Sequence, residues 1–318
     1  MSPIVQPRSA LADFHRGSTA RRLVAAVLVG AALSGCKEKN PAPKFDGQAA
    51  FGYLQQQVAF GYRIPGTEGH RKEAAWLDSL LRTRADTLVV QTWTHVSAKG
   101  VSLELTNYLA RFNPAATERV LLLAHWDTRP IADSKLSSDS TKSVLGANDG
   151  ASGVATLLAI ADALHRQHPR VGVDLLFDDG EDFGNFEKEP DDVLMGARYY
   201  AKHQPAGGPP LFAVLLDMIG DKDLQIYQEG NSSTGAPEVV QLVWGAAKDL
   251  GYQQYFIDTP KHNLIDDHVE LQKVGIRAID VVDFDYPAWH TPDDTIDKVS
   301  AHSLQVVGDV MLNVIWGR

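Results

Sequence analysis

Leu121-Leu122-Leu123-Ala124-His125-Trp126-Asp127 (LLLAHWD, 121–127) is an apolar run that stops abruptly at an imidazole and a carboxylate. With the preceding residues it makes a short strand over 119–124, apolar after its Arg, which is the pattern of a strand buried on both faces at a sheet centre. The same grammar recurs along the chain. LLFDDGED (175–182) and LLDMIG (215–220) each run from apolar residues into acids, and GANDGASG (146–153) and AWHTPDD (288–294) add an acid and a second imidazole. His125, Asp149, Asp182, Asp217 and His290 are all metal-type ligands placed where a strand hands over to a loop. A lone His or Asp in such a place is usually a cap or turn residue. Five together form the pattern by which an α/β enzyme assembles a metal site from several strand ends.

Working outward, periodicity predicts helices over 49–59, 69–84, 151–167, 191–202, 237–250 and 302–316, and strands over 87–94, 102–111, 119–124, 171–177, 211–216, 225–228 and 278–282. Strands alternating with helices predict an α/β fold: one domain with a central mixed, mostly parallel β-sheet and helices on both faces. In such sheets the site lies beyond the carboxyl ends of the strands, where His125, Asp178, Asp179, Glu181, Asp182 and Asp217 fall. No stretch reads as a linker between two folded domains.

The adjacent pair Glu181-Asp182 suits a metal site, one carboxylate coordinating while the other stays free as acid or base. The alternative is a solvated acidic loop. Asp149 sits among small residues that let backbone and ion approach closely, yet Asp149 or Ser152 could also cap the following helix. Asp127 is a natural partner for the His125 ring, and Asp293 or Asp294 for that of His290. Asp266-Asp267-His268 reads as a loop. A buried Asp there, near Asp217, would share a proton with it; a surface turn is the other reading. The remaining histidines (70, 95, 165, 168, 203, 262 and 302) stand beside polar residues and read as solvated. Gly150-Ala151-Ser152-Gly153 is not a nucleophile elbow, since no strand leads into it, and no Walker or dinucleotide motif occurs.

Taken in order, His-x-Asp, Gly-Ala-x-Asp-x-Ala-Ser-Gly, Glu-Asp, Leu-Asp-Met-Ile-Gly and His-Thr-Pro-x-Asp resemble the zinc aminopeptidases (metallopeptidase family M28). His-Trp-Asp-Thr-Arg-Pro (125–130), Gly-Ala-Asn-Asp-Gly-Ala-Ser-Gly-Val (146–154), Tyr-Gln-Glu-Gly (227–230), Asp-Asp-His (266–268) and Trp-His-Thr (289–291) are similar to the bacterial glutaminyl-peptide cyclotransferases within it. The resemblance covers residues 48–318 and implies a zinc aminopeptidase-like fold. It also implies one zinc held by Asp149, Asp182 and His290. His125 and Asp217 match positions that complete a second metal site in the aminopeptidases, so two ions remain possible. Glu181 would be the general acid/base, Asp217 and Asp266 a proton relay, and Trp289 the wall of a pocket for a glutamine side chain. The implied substrates are peptides or proteins with N-terminal Gln, converted to pyroglutamate with release of ammonia. Departures are Asp182, where animal cyclases carry Glu, and the absence of their downstream pocket Trp. Phe183, Gly184, Asn185 and Phe186 stand there, leaving Phe186 and Tyr286 as candidate walls. A di-zinc aminopeptidase is the alternative, and a non-catalytic surface binding lipoprotein the third reading.

The start of the chain has another character. Arg16, Arg21 and Arg22 precede an apolar run over 23–33, too short to span a bilayer. It ends in Leu33-Ser34-Gly35-Cys36, which resembles a bacterial lipobox; an ordinary cleaved signal peptide is the alternative. Cys36 is the only Cys in the chain, so no internal disulfide can form. The expected organisation is a lipoprotein signal over 1–36, a flexible tether over 37–47 and a catalytic domain over 48–318. A lipidated Cys36 places the protein, exported, on a membrane of the bacterial cell envelope, periplasmic or surface-facing. The formal net charge of −10, without a basic stripe, argues against nucleic acid as a partner.

Overall fold

The structure is a computed structural model and describes residues 41–317. The expectations for the 1–36 segment and Cys36 lie outside the described residues. The described residues begin within the predicted tether. Phe45 is buried against Gly308, and Asp46 caps helix α1 (Gly47–Ala59), its carboxylate accepting from the Ala49 N–H. The folded domain therefore starts before residue 48.

Helix α2 (Glu68–Arg84) follows, then strands β1 (Thr87–Val96), β2 (Ser102–Phe112) and β3 (Arg119–His125). Next come α3 (Ala151–Arg166), β4 (Gly172–Asp178), α4 (Met195–Lys202), β5 (Ala213–Asp217), β6 (Ile226–Gln228), α5 (Gly230–Gly235) and α6 (Pro237–Asp249). The chain closes with β7 (Phe256–Pro260), α7 (Asp267–Gln272), β8 (Ala278–Val282), a 3₁₀ turn and α8 (Ala301–Trp316). Six strands form one sheet in the order β1-β2-β4-β3-β5-β8. β1–β2 and β2–β4 pair antiparallel; β4–β3, β3–β5 and β5–β8 pair parallel. The expected mixed, mostly parallel sheet is what forms.

All seven residues of β3 are buried because the sheet is covered on both sides. Val120, Leu122 and Ala124 face the main core with α1, α3, α6 and α8. Leu121 and Leu123, one residue out of phase, meet Ala197 and Tyr200 of α4 and Leu271 of α7. Helix α3 lies very close to the sheet: a Cβ at Gly153 would collide with the Leu216 carbonyl oxygen.

Helix α5 and strand β7 stand where no element was predicted, and two further stretches depart from expectation. The predicted helix over 191–202 begins only at Met195. Leu194 takes a left-handed conformation (φ 54°), and Asp192 is drawn out of the helix by the His95 ring (2.7 Å) and the Ala98 N–H (2.9 Å). Asp266-Asp267-His268 is not a loop: Asp266 caps α7, which begins at Asp267. Among the described residues no helix is long and apolar enough to cross a membrane.

Candidate metal centre

Strand ends deliver the site. β3 ends at His125, β5 at Asp217, and the turn after β4 carries Glu181 and Asp182. Asp149 stands just before α3, whose N-cap is Gly150 without any side-chain cap bond. Neither Asp149 nor Ser152 caps the helix, so the Asp149 carboxylate is free to face the site. The tight GANDGASG loop is necessary here, because a Cβ at Gly150 would strike the His125 backbone and ring. His290 is presented from a left-handed backbone (φ 53°), as is Met218 (φ 48°) beside Asp217.

All five predicted ligands converge, and all are buried. They form two triads that share Asp149: His125, Asp149 and Asp217, and Asp149, Asp182 and His290. Within each, the ligand atoms lie within 4.8 Å of one another. His125 Nε2 is 3.1 Å from Asp149 Oδ1 and 3.4 Å from Asp217 Oδ1. His290 Nε2 is 3.3 Å from Asp182 Oδ1 and 3.6 Å from Asp149 Oδ2.

The electrostatics are those of a cation site. Burial opposes charge on His125, yet Asp127, Asp149 and Asp217 hold its pKa well above the ordinary value. His290 is likewise pushed up to about 9 against burial, by Asp182 and Asp133. Asp182 stays ionised, held at about 2 despite burial by Arg129 and His290. Both ring nitrogens of His125, and Asp149 Oδ2, Asp182 Oδ2 and Asp217 Oδ1, are buried without a hydrogen-bond partner. Such a set of orphaned nitrogen and oxygen donors fits a divalent ion with N/O preference.

A supporting layer orients these ligands. Asp127 lies 3.5 Å from His125 Nδ1, as the sequence suggests, and also accepts the N–H groups of Glu181 (3.0 Å) and Asp182 (3.2 Å). The partner of His290 differs from expectation. Its Nδ1 lies 3.1 Å from Asp133 Oδ1, not beside Asp293 or Asp294. Asp294 instead accepts the Asn148 and Asp149 N–H groups and the Tyr286 hydroxyl. Arg129 joins the two halves, donating to Asp133 (2.7 and 2.8 Å) and pairing with Asp182.

Glu181 is buried, its Oε2 3.9 Å from His125 Nδ1; burial first, then Asp182, raises its pKa well above the ordinary value. Asp266 is raised by burial and then by Asp217. Trp289 stacks on His290 at 4.0 Å and leans on Phe284 at 4.8 Å, within an apolar cluster with Leu264, Met218 and Val282. Tyr286 is a buried member of that cluster, and the Arg129 guanidinium lies 5.9 Å from the Phe186 ring centroid.

Sequence reading missed several residues. Arg129 lies in a quoted motif, but its partners are distant in the chain. Asp280, which the sequence did not single out, is a fully buried carboxyl like Asp178 and Asp267, which it did, and burial raises each. His70 is not solvated: it is buried, stacked on Trp126 at 4.2 Å and 2.9 Å from Asp179.

Residues 107–315, two thirds of the chain, match the family model described as Peptidase family M28. The chain belongs to peptidase family M28. Solved structures similar to this M28 enzyme carry two kinds of description. A glutaminyl cyclase of Tannerella forsythia superposes with a TM-score of 0.82 at 36% identity, covering 87% of this chain and 100% of its own. A leucine aminopeptidase precursor of Bacteroides thetaiotaomicron superposes with a TM-score of 0.84 at 34% identity, covering 87% and 99%. An uncharacterized Escherichia coli protein, YfbL, is 24% identical over 280 residues, 78% of this M28 chain and 83% of its own length. The fold is thus that of zinc aminopeptidase-like enzymes, and its structural neighbours carry both descriptions.

Proposed function

We propose that this enzyme is a zinc-dependent glutaminyl-peptide cyclotransferase, acting on peptides or proteins with N-terminal Gln. One observation carries the reading: the half-buried Asp266 feels the charge of the buried Asp217, which after burial is the main cause raising its pKa. In the cyclase reading the two form a proton relay, and Asp217 is then not spent on metal ligation. Asp149, Asp182 and His290 remain as a complete three-residue set for one zinc. Zinc held there would supply a Lewis acid for the γ-carbonyl of the glutamine side chain.

The protein's own groups do the rest. Glu181, with its raised pKa, takes a proton from the attacking α-amine and returns it to the departing nitrogen, so ammonia leaves and the ring closes. No net proton is gained or lost in that exchange, which suits a buried base. Trp289, braced by Phe284 and Leu264, forms the apolar wall that folds the glutamine back towards its own amine and excludes water. A lipid at Cys36 would hold this chemistry at the envelope, where exported peptides pass.

The triad of His125, Asp149 and Asp217 supports a second reading, a di-zinc aminopeptidase. Incubation of the zinc-loaded domain with a Gln-initiated and a Leu-initiated peptide, followed by mass spectrometry, separates the two. Loss of one ammonia from the Gln peptide, with the Leu peptide intact, is the expected result; free leucine would sink the cyclase reading. Glu181→Gln should lower turnover on the order of 10²–10⁴-fold with zinc content unchanged by metal analysis.

A further inference from the structure

The Tyr-Gln-Glu-Gly motif (227–230) has no part in the mechanism above, yet its glutamate is one of the most heavily hydrogen-bonded groups in the molecule. Glu229 is 1% exposed and caps α5. Its Oε1 accepts the N–H of Asn231 (2.8 Å) and that of Leu264 (2.9 Å). Its Oε2 accepts the N–H and the hydroxyl of Ser232 (2.6 and 2.8 Å) and lies 3.2 Å from Nε2 of the buried His268.

Two of these partners matter for their place in the chain. Leu264 lies two residues before Asp266, and His268 two residues after it. The segment is gripped twice more from α5, by Asn231 Nδ2 donating to the Leu264 carbonyl (2.6 Å) and by the Gly230 N–H donating to that of His262 (3.0 Å). Ser232 Oγ also accepts the Asp280 N–H (2.8 Å), which ties β8 to the same point. Helix α7, six residues long, cannot hold its own first turn in place, because so short a helix is unstable alone. Its start is fixed from outside, with the Glu229 carboxylate as the one group that touches the chain on both sides of Asp266.

We infer that Glu229 is a positioning residue for Asp266, setting the approach of that carboxyl to Asp217 by holding the chain on both sides of it. Only an ionised carboxylate serves. Both oxygens accept, and a glutamine would turn its NH₂ towards one of these donors. The inference rests on the cyclase reading for the role of Asp266.

A double-mutant cycle tests it: wild type, Glu229→Gln, Asp266→Asn and the double variant, each zinc-loaded, with kcat and KM on a Gln-initiated peptide. The expected result is a fall in kcat on the order of 10–100-fold for Glu229→Gln, with KM and zinc content little changed. In the Asp266→Asn background the same change should cost almost nothing further. Losses that multiply, or a Glu229→Gln enzyme equal to wild type, overturn the inference. If Glu229→Gln does not fold, Asn231→Ala removes one grip on Leu264 alone. Its smaller loss must likewise vanish in the Asp266→Asn background, and a multiplying loss overturns the inference. A wild type that leaves the Gln peptide intact and releases leucine removes the cyclase reading instead; the cycle is then read on leucine release with the same criteria.

Discussion

At the scale of single residues, the ligands were legible and their orienters were not. His125, Asp182 and Asp217 follow apolar runs that do end as strands, whereas Asp149 stands just before helix α3 and His290 in the turns after β8, so not every expected strand end is one. Asp133 carries no such mark. It lies 157 positions from His290, whereas Asp293 and Asp294 stand close by in the chain and are the natural guess. The structure gives Asp294 to the Asn148–Asp149 backbone and leaves Asp293 exposed. Burial works against the Asp133 carboxylate, but His290 and Arg129 hold its pKa below the usual range, so it is an anion at any working pH. Removing it frees the His290 ring to turn and leaves Arg129 half-paired. Asp133→Ala should therefore weaken zinc binding by roughly 10–100-fold in competition with a chromogenic chelator. Asp293→Ala should leave it unchanged, and equal effects of the two would refute this assignment of the orienting carboxylate.

At the scale of elements, the strands buried on both faces announce themselves as unbroken apolar runs, which is why β3, β4, β5 and β8 were foreseen within a residue or two. α5 and α7 were not. Their inward faces are polar, with Ser232, Asp267 and His268 all buried, and apolar periodicity is blind to a surface packed by hydrogen bonds. These elements are consequently held by charge more than by oil, and Glu229 is the test. Burial disfavours its ionised form, but the His268 ring and the Asn231, Leu264 and Ser232 N–H groups hold the pKa at about 2, below the usual 4.5. A folded-state pKa depressed in this way adds stability that is complete above about pH 4.5 and lost as pH falls through about 2. The gap in unfolding midpoint between wild type and Glu229→Gln should accordingly narrow on acidification across that window, as followed by circular dichroism in denaturant. A gap that is constant with pH would show that Glu229 is not ionised in the fold.

At the scale of the whole molecule, the two-sided sheet was readable from alternating strands and helices, as was the position of the site beyond its carboxyl edge. The start of the domain was not, because Phe45 sits alone in a polar, proline-bearing stretch and finds its partner only at Gly308. That long closure is one of many. Parallel neighbours β3, β5 and β8 pair only after the intervening chain has crossed over, and the ligands come from five separate stations between His125 and His290. This has a kinetic consequence. No early, partly collapsed chain can offer an ion more than one or two donors, so the ion arrives after the rate-limiting step, at positions unformed in the transition state. Zinc should then leave the refolding rate nearly untouched and act almost wholly by slowing unfolding, as stopped-flow fluorescence with and without the metal would reveal; faster refolding in zinc would mean that the site nucleates the fold. The ion is in that sense a latch on a finished structure, and its escape rate becomes a clock for how often the carboxyl edge of the sheet comes apart.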